Sequence, residues 1–119
     1  MARILSVSYD NSLVRSREML LEHEGYNVVS SVGFTASIAH CKEDGFDLFI
    51  LGHSIPRSDR QQLVDTFRKH CPAPIIALLR NAGDEPVRGA DYQIEPDPET
   101  LLRLVSDIIH GTSVTRQAG

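Results

Sequence analysis

A chain of 119 residues can build one domain with a proper core and is too short for two ordinary ones. Its formal charge of −4 argues against a protein that holds nucleic acid or anionic lipid by general electrostatics, which needs a basic face. Apolar runs such as Pro74 to Leu79 are far too short to span a membrane, and Met1-Ala2-Arg3 leads straight into a strand-like run instead of a signal peptide, so the cytoplasm is the expected location.

In chain order, Ile4, Leu5 and Val7 form a short apolar run, and the polar cluster Ser8-Tyr9-Asp10-Asn11-Ser12 after it can cap a helix through side-chain oxygens. That helix is predicted to reach about Glu24, where Gly25 stops it, and Tyr26 to Val32 makes the second strand. Phe34, Ile38 and Cys41 recur at helical spacing and define a second helix ending near Gly45, followed by a third strand from Phe46 to Leu51. Leu63 and Phe67 mark a third helix, capped by Ser58 or Asp59 and stopped before Pro72. Pro74 to Leu79 is the fourth strand and Tyr92 to Ile94 a short fifth. Asp97-Pro98-Glu99 opens the last helix, whose buried stripe is Leu101, Val105 and Ile108.

Strands alternating with helices imply βαβ units, right-handed crossovers and a parallel sheet covered on both faces. The strands read as continuous apolar runs, as burial on both faces requires. One link is unusual. Between Leu79 and Asp91 lie 11 residues, close to the minimum of roughly 10 to 12 for a whole crossover. The stretch "RNAGDEPVRG" there holds two glycines and a proline, which oppose helix. The fourth helix is expected to be short or missing. One domain is expected over residues 1–111, with the small polar tail 112–119 as a flexible end or the start of a linker.

Cys41 and Cys71 have neither metal-ligand spacing nor a partner motif, and Cys41 reads as a small hydrophobe packed in a helix. The five histidines, His23, His40, His53, His70 and His110, are scattered, and three fall near predicted helix ends, where an imidazolium favours the local dipole. They read as surface or cap residues, and no metal site is expected.

The order and spacing of "ILSVSYDNSLVR", "EGYNVV", "DLFILGHSIP", "PIIALL" and "GADYQIEPDPETLL" resembles the receiver domains of bacterial response regulators over about residues 3–110. The resemblance implies a flavodoxin-like, doubly wound parallel five-stranded sheet of order 2-1-3-4-5. It places the functional crevice at the carboxyl ends of strands one and three, where the sheet reverses direction. In that family an aspartate ending strand three accepts a phosphoryl group and two acids after strand one hold magnesium. A Ser or Thr ends strand four, and a lysine precedes a proline after strand five.

Carried over residue by residue, each of these positions has changed. The acceptor position is Gly52, which has no nucleophile. The acid positions are Ser8 and Tyr9, neutral groups in place of the carboxylates magnesium prefers. The hydroxyl position is Leu79, and the lysine position, before Pro96, is Glu95, a reversal of charge. Tyr92 keeps the family's switch aromatic, but its usual hydroxyl partner is now leucine.

Several side chains admit two readings. Asp10 with His53 or Asp59 could form a replacement metal site, or Asp10 and Asn11 could cap the first helix and Asp59 the third. Arg80 and Glu95, at the ends of neighbouring strands, could form an ion pair in the phosphate space or stay two solvated charges. Tyr9 is expected to fold its ring into the vacated acid pocket with its hydroxyl at the rim.

The leading expectation is a phosphorylation-independent, receiver-like module of a two-component or phosphorelay system, acting by contact with another signalling protein. It is expected to be no enzyme, to need no cofactor, and to bind neither nucleic acid nor membrane by itself; its oligomeric state is open. The alternative is a small-ligand or anion binder using Ser8, Asn11 and Ser12 at a helix N-terminus. Last comes an active receiver whose acceptor has moved to Asp10 or His53, since no nucleophile and base are placed together by the spacing.

Overall fold

The computed structural model describes residues 2–43, 45–80, 83, 84 and 86–110. Five strands and four helices follow in the order β1 (Arg3–Ser8), α1 (Asn11–His23), β2 (Asn27–Val32), α2 (Phe34–Cys41), β3 (Leu48–Leu51), α3 (Arg57–His70), β4 (Ile75–Leu78), β5 (Tyr92–Ile94) and α4 (Pro98–His110). All neighbouring strands pair in parallel, in the order β2-β1-β3-β4-β5. This is the doubly wound flavodoxin-like sheet expected from the sequence.

Because successive side chains of a strand point to opposite faces, each strand feeds two cores. Leu5, Val7, Phe49, Leu51, Ile75 and Ala77 pack with Leu63 and Phe67 of α3 on one face. Ile4, Leu48, Ile50, Ile76 and Leu78 pack with Leu21 of α1 and Leu101 and Val105 of α4 on the other. The side chain that would follow Leu51 therefore points toward α1.

Helix starts are set by side-chain oxygens at two of the expected places. Asp10 Oδ1 accepts the Leu13 N–H at 3.0 Å and opens α1, and Asp97 Oδ2 accepts from the Thr100 N–H at 2.9 Å and opens α4. The third helix departs from expectation. It begins at Arg57, with Pro56, extended at ψ 146°, as its N-cap residue, and neither Ser58 nor Asp59 supplies a side-chain cap. The second helix also stops early, at Cys41 instead of near Gly45.

No helix occurs among the described residues between β4 and β5. Two glutamines hold this segment through its backbone. Gln93 Oε1 accepts the Val87 N–H at 2.7 Å while its Nε2 donates to the Val87 carbonyl at 3.0 Å. Gln61 treats Arg88 the same way, at 3.0 and 2.9 Å. A side-chain amide thus takes the place of a neighbouring strand on each side, and Val87 is buried in the core beneath. The tail expected at 112–119 lies outside the described residues.

Candidate functional site

The crevice lies where β1 and β3 end, between the helices that leave on opposite faces of the sheet. Gly52 follows β3 and extends its ladder by one bond, its N–H donating to the Val7 carbonyl at 2.8 Å. The space a side chain would need at Gly52 is taken by Arg17 from α1. A Cβ built at Gly52 would stand 3.0 Å from Arg17 Nη2 and 3.1 Å from the Val7 oxygen. The residue has an ordinary φ, so what asks for glycine is this close approach.

Arg17 is only 7% exposed. Its Nη1 donates to Ser6 Oγ at 3.1 Å and to the Val7 carbonyl at 3.4 Å. No carboxylate pairs with it among the described residues. Burial alone pushes the guanidinium down from 12.5 to about 10, so at neutral pH it remains charged in a poorly solvated place. The sequence reading missed this residue, although a signal was present. Val14, Arg17 and Leu21 are spaced three and four apart, which puts the arginine on the buried stripe of its helix.

Arg60 repeats the pattern on α3, in step with Leu63, Val64 and Phe67. It is 1% exposed. Its Nη1 donates to the Leu78 carbonyl at 3.0 Å, and its Nη2 meets Asp84 at 3.4 Å. Asp84 belongs to the crossover without a helix, and it also accepts the Arg80 N–H at 3.0 Å.

Of the two readings of Arg80 and Glu95, the ion pair is not found among the described residues. Arg80 turns back across the β3 loop, its Nε donating to the His53 carbonyl at 3.3 Å, and Glu95 is exposed. The Arg80 N–H is held by the Asp84 carboxylate, and the arginine side chain is engaged by the β3 loop. His53 therefore sits among three cations. Burial, then Arg17, Arg80 and Arg60, push its imidazole below the usual histidine range, with Asp10 opposing.

Ser8, Ser54 and the backbone of residues 9 and 10 form a closed hydroxyl network at the end of β1. Ser8 Oγ and Ser54 Oγ share a hydrogen bond at 2.9 Å, Ser54 Oγ accepts the Tyr9 N–H at 3.0 Å, and Ser8 Oγ accepts the Asp10 N–H at 3.0 Å. Tyr9 packs its ring against the α2–α3 core and donates its hydroxyl to Asp59 at 2.9 Å. Burial and then Asp59 push this phenol above the ordinary tyrosine range. Asp10 and Asp59 are thus engaged separately, one as a cap and one by Tyr9, and with His53 they do not converge on a metal position. Ser8 is fully buried and already bonded, and the Asp10 carboxylate caps α1 beside Asn11 and Ser12. An anion at that helix N-terminus would meet a carboxylate already in the place it needs.

The chemistry of this donor set does not suit magnesium. The ion prefers carboxylate oxygens in near-octahedral geometry. Here the β1 end offers hydroxyls committed to one another and an Asp10 carboxylate already engaged as the α1 cap, and the β3 end offers a guanidinium. At about 5 Å and an effective dielectric of about 20, a divalent cation and one guanidinium repel by roughly 7 kcal/mol.

Leu79 is half-buried past the end of β4, its N–H held by the Ile94 carbonyl at 2.8 Å. Tyr92 pairs with Ile76 in the sheet and is 40% exposed, and its hydroxyl has no protein partner among the described residues. No described helix is long and apolar enough to cross a membrane.

Solved structures share this architecture, among them the following three. A CheY-like response regulator receiver domain from Methylobacillus flagellatus superimposes with a TM-score of 0.79 at 17% identity, covering 91% of this chain and 98% of its own. A two-component response regulator from Clostridium difficile gives 0.81 at 20%, covering 92% and 97%. The Thermotoga maritima response regulator TrrA, in complex with Mg2+ and BeF, gives 0.80 at 22%, covering 91% and 99%. The fold is that of a receiver domain. No family model matches the sequence, and no curated protein matches it either. In this chain the crevice of that fold is lined by Arg17, His53, Ser8, Ser54 and Tyr9, with the Asp10 and Asp59 carboxylates committed to the α1 cap and to the Tyr9 hydroxyl.

Proposed function

We propose that this chain is a phosphorylation-independent receiver-like module that signals by binding another protein. The observation that carries the reading is the packing of Arg17 against Gly52. The position that in the resembled family bears the phosphoryl acceptor has no side chain, and a buried cation fills the space one would enter. An aspartyl phosphate cannot form at a glycine, and the surrounding hydroxyls are tied to neighbours instead of being poised beside a base. Receiver-type folds serve signalling through contact with other proteins, and the scaffold that would make such contacts is retained here.

Intact-mass measurement after incubation with acetyl phosphate and magnesium tests the reading. The mass is expected to stay unchanged. A phosphoryl adduct, mapped by fragmentation to Asp10, Asp59 or His53, would show an acceptor that has moved and would overturn it.

A further inference from the structure

Between α1 and α4, beside the end of β4, lies a cavity of about 340 Å³, at the small end of the range for organic ligands. Its walls are apolar: Leu13 and Leu20 from α1, Leu78 from β4 and Leu101 from α4. Arg17 and His53 stand at its polar end, and Ser16 and Asp97, both exposed, stand at its rim. We propose that this cavity binds a small monocarboxylate with an apolar body, its carboxylate on the Arg17 guanidinium and its chain among the four leucines.

Three observations lead to that chemistry. Arg17 is buried without a carboxylate partner among the described residues, and its bonds to Ser6 and Val7 engage one terminal nitrogen, Nη1. A guanidinium presents five N–H donors in a planar fork that matches a carboxylate in two parallel bonds. Nε and Nη2 form the free edge of that fork. The rest of the lining is mainly hydrocarbon, so a multiply charged phosphate would lose more hydration than one arginine replaces, whereas an apolar chain gains from burial. His53, held toward its neutral form, can add one N–H donor without a second full charge. Asp97 at the rim is occupied by Thr100, whose hydroxyl and N–H both bond its Oδ2, and its charge further disfavours a dianion. The site is independent of the phosphorylation reading, which intact-mass measurement tests separately.

The test is an amide NMR titration of the whole chain with octanoate, 1-octanol and inorganic phosphate as probes. Octanoate is expected to give saturable shifts confined to Leu13 through Leu20, His53 and Asp97 through Leu101. Octanol is expected to bind at least tenfold more weakly, and phosphate to leave these amides unmoved. Arg17→Met should weaken octanoate at least tenfold with the sheet's amide pattern retained, and Arg17→Lys should fall between. Ser16→Trp, a change at an exposed helix position, should block entry without touching the buried arginine. Equal affinity for octanoate and octanol, a preference for phosphate, undiminished binding by Arg17→Met or Ser16→Trp, or no octanoate shifts at millimolar concentration would each overturn the proposal.

Discussion

Replacing Arg17 by methionine should make the free protein more stable, because the arginine's charge costs more than its bonds return. Burial lowers the guanidinium from 12.5 to about 10, and at about 1.4 kcal/mol per pH unit this corresponds to roughly 3 kcal/mol spent on keeping the charge. The variant loses the bonds to Ser6 Oγ and the Val7 carbonyl, each worth about 1 kcal/mol. The Val7 oxygen keeps its bond from the Gly52 N–H, so only the serine hydroxyl is left short of a partner. Methionine fills the space of the arginine stem with flexible apolar atoms. The balance is a gain of about 1 kcal/mol, or a few degrees in Tm for a domain of this size. Urea denaturation with an unchanged m-value would read it directly. A loss of more than about 1 kcal/mol would refute the reasoning, since it would mean that the guanidinium is well compensated where it lies and is not a free cation.

Other consequences are equally open to measurement. Burial, and then Asp59, hold the Tyr9 phenol above its usual value of 10, so the stability this adds is complete below pH 10 and is lost as the pH rises beyond it. Phenolate absorbance of the wild type minus that of Tyr9→Phe should show Tyr9 ionising late; ionisation at the ordinary value would contradict the bond. Gln93→Ala removes both bonds to Val87 and should cost about 2 kcal/mol. Hydrogen exchange at the Val87 amide should accelerate, and unaltered protection would show that the loop is held by something else. Asp84→Ala leaves Arg60 buried without its counter-charge. The expected cost is about 2 to 3 kcal/mol, under the usual range for breaking a buried pair because the contact is long and Asp84 is nearer the surface. An unchanged midpoint in denaturant would show that Arg60 is satisfied by the Leu78 carbonyl alone.

The sheet was legible because the central strands β3 and β4 are continuous apolar runs, and such runs alternating with helical stripes fit a parallel sheet covered on both faces. That no helix is found among the described residues between β4 and β5 was legible for a simpler reason, since 11 residues with two glycines and a proline leave little room for one. The parts of the crevice that lie at strand ends were legible, and the parts contributed by helices were less so. Gly52, Ser8 and Tyr9 could be placed by position along the chain. Arg17 and Arg60 come from other elements, and their meaning rests on which face of the helix is buried. Both stand in step with apolar neighbours, so an arginine within a buried stripe was the available signal. Sequence left open whether Arg80 and Glu95 would pair, because adjacency of strand ends does not fix the direction of an exposed side chain, which here bonds the His53 carbonyl. Gln61 and Gln93 carried no signal, because each bonds to the backbone of a loop whose path no residue pattern specifies.

The most direct test of the central claim is an amide NMR titration with magnesium, followed by beryllofluoride. With a cation and neutral hydroxyls in the crevice, residues 8–10, 52–54 and 95 should stay where they are at millimolar ligand. Saturable shifts of those amides, strengthened by magnesium and beryllofluoride together, would show that an ion and phosphoryl site persists and would contradict the account.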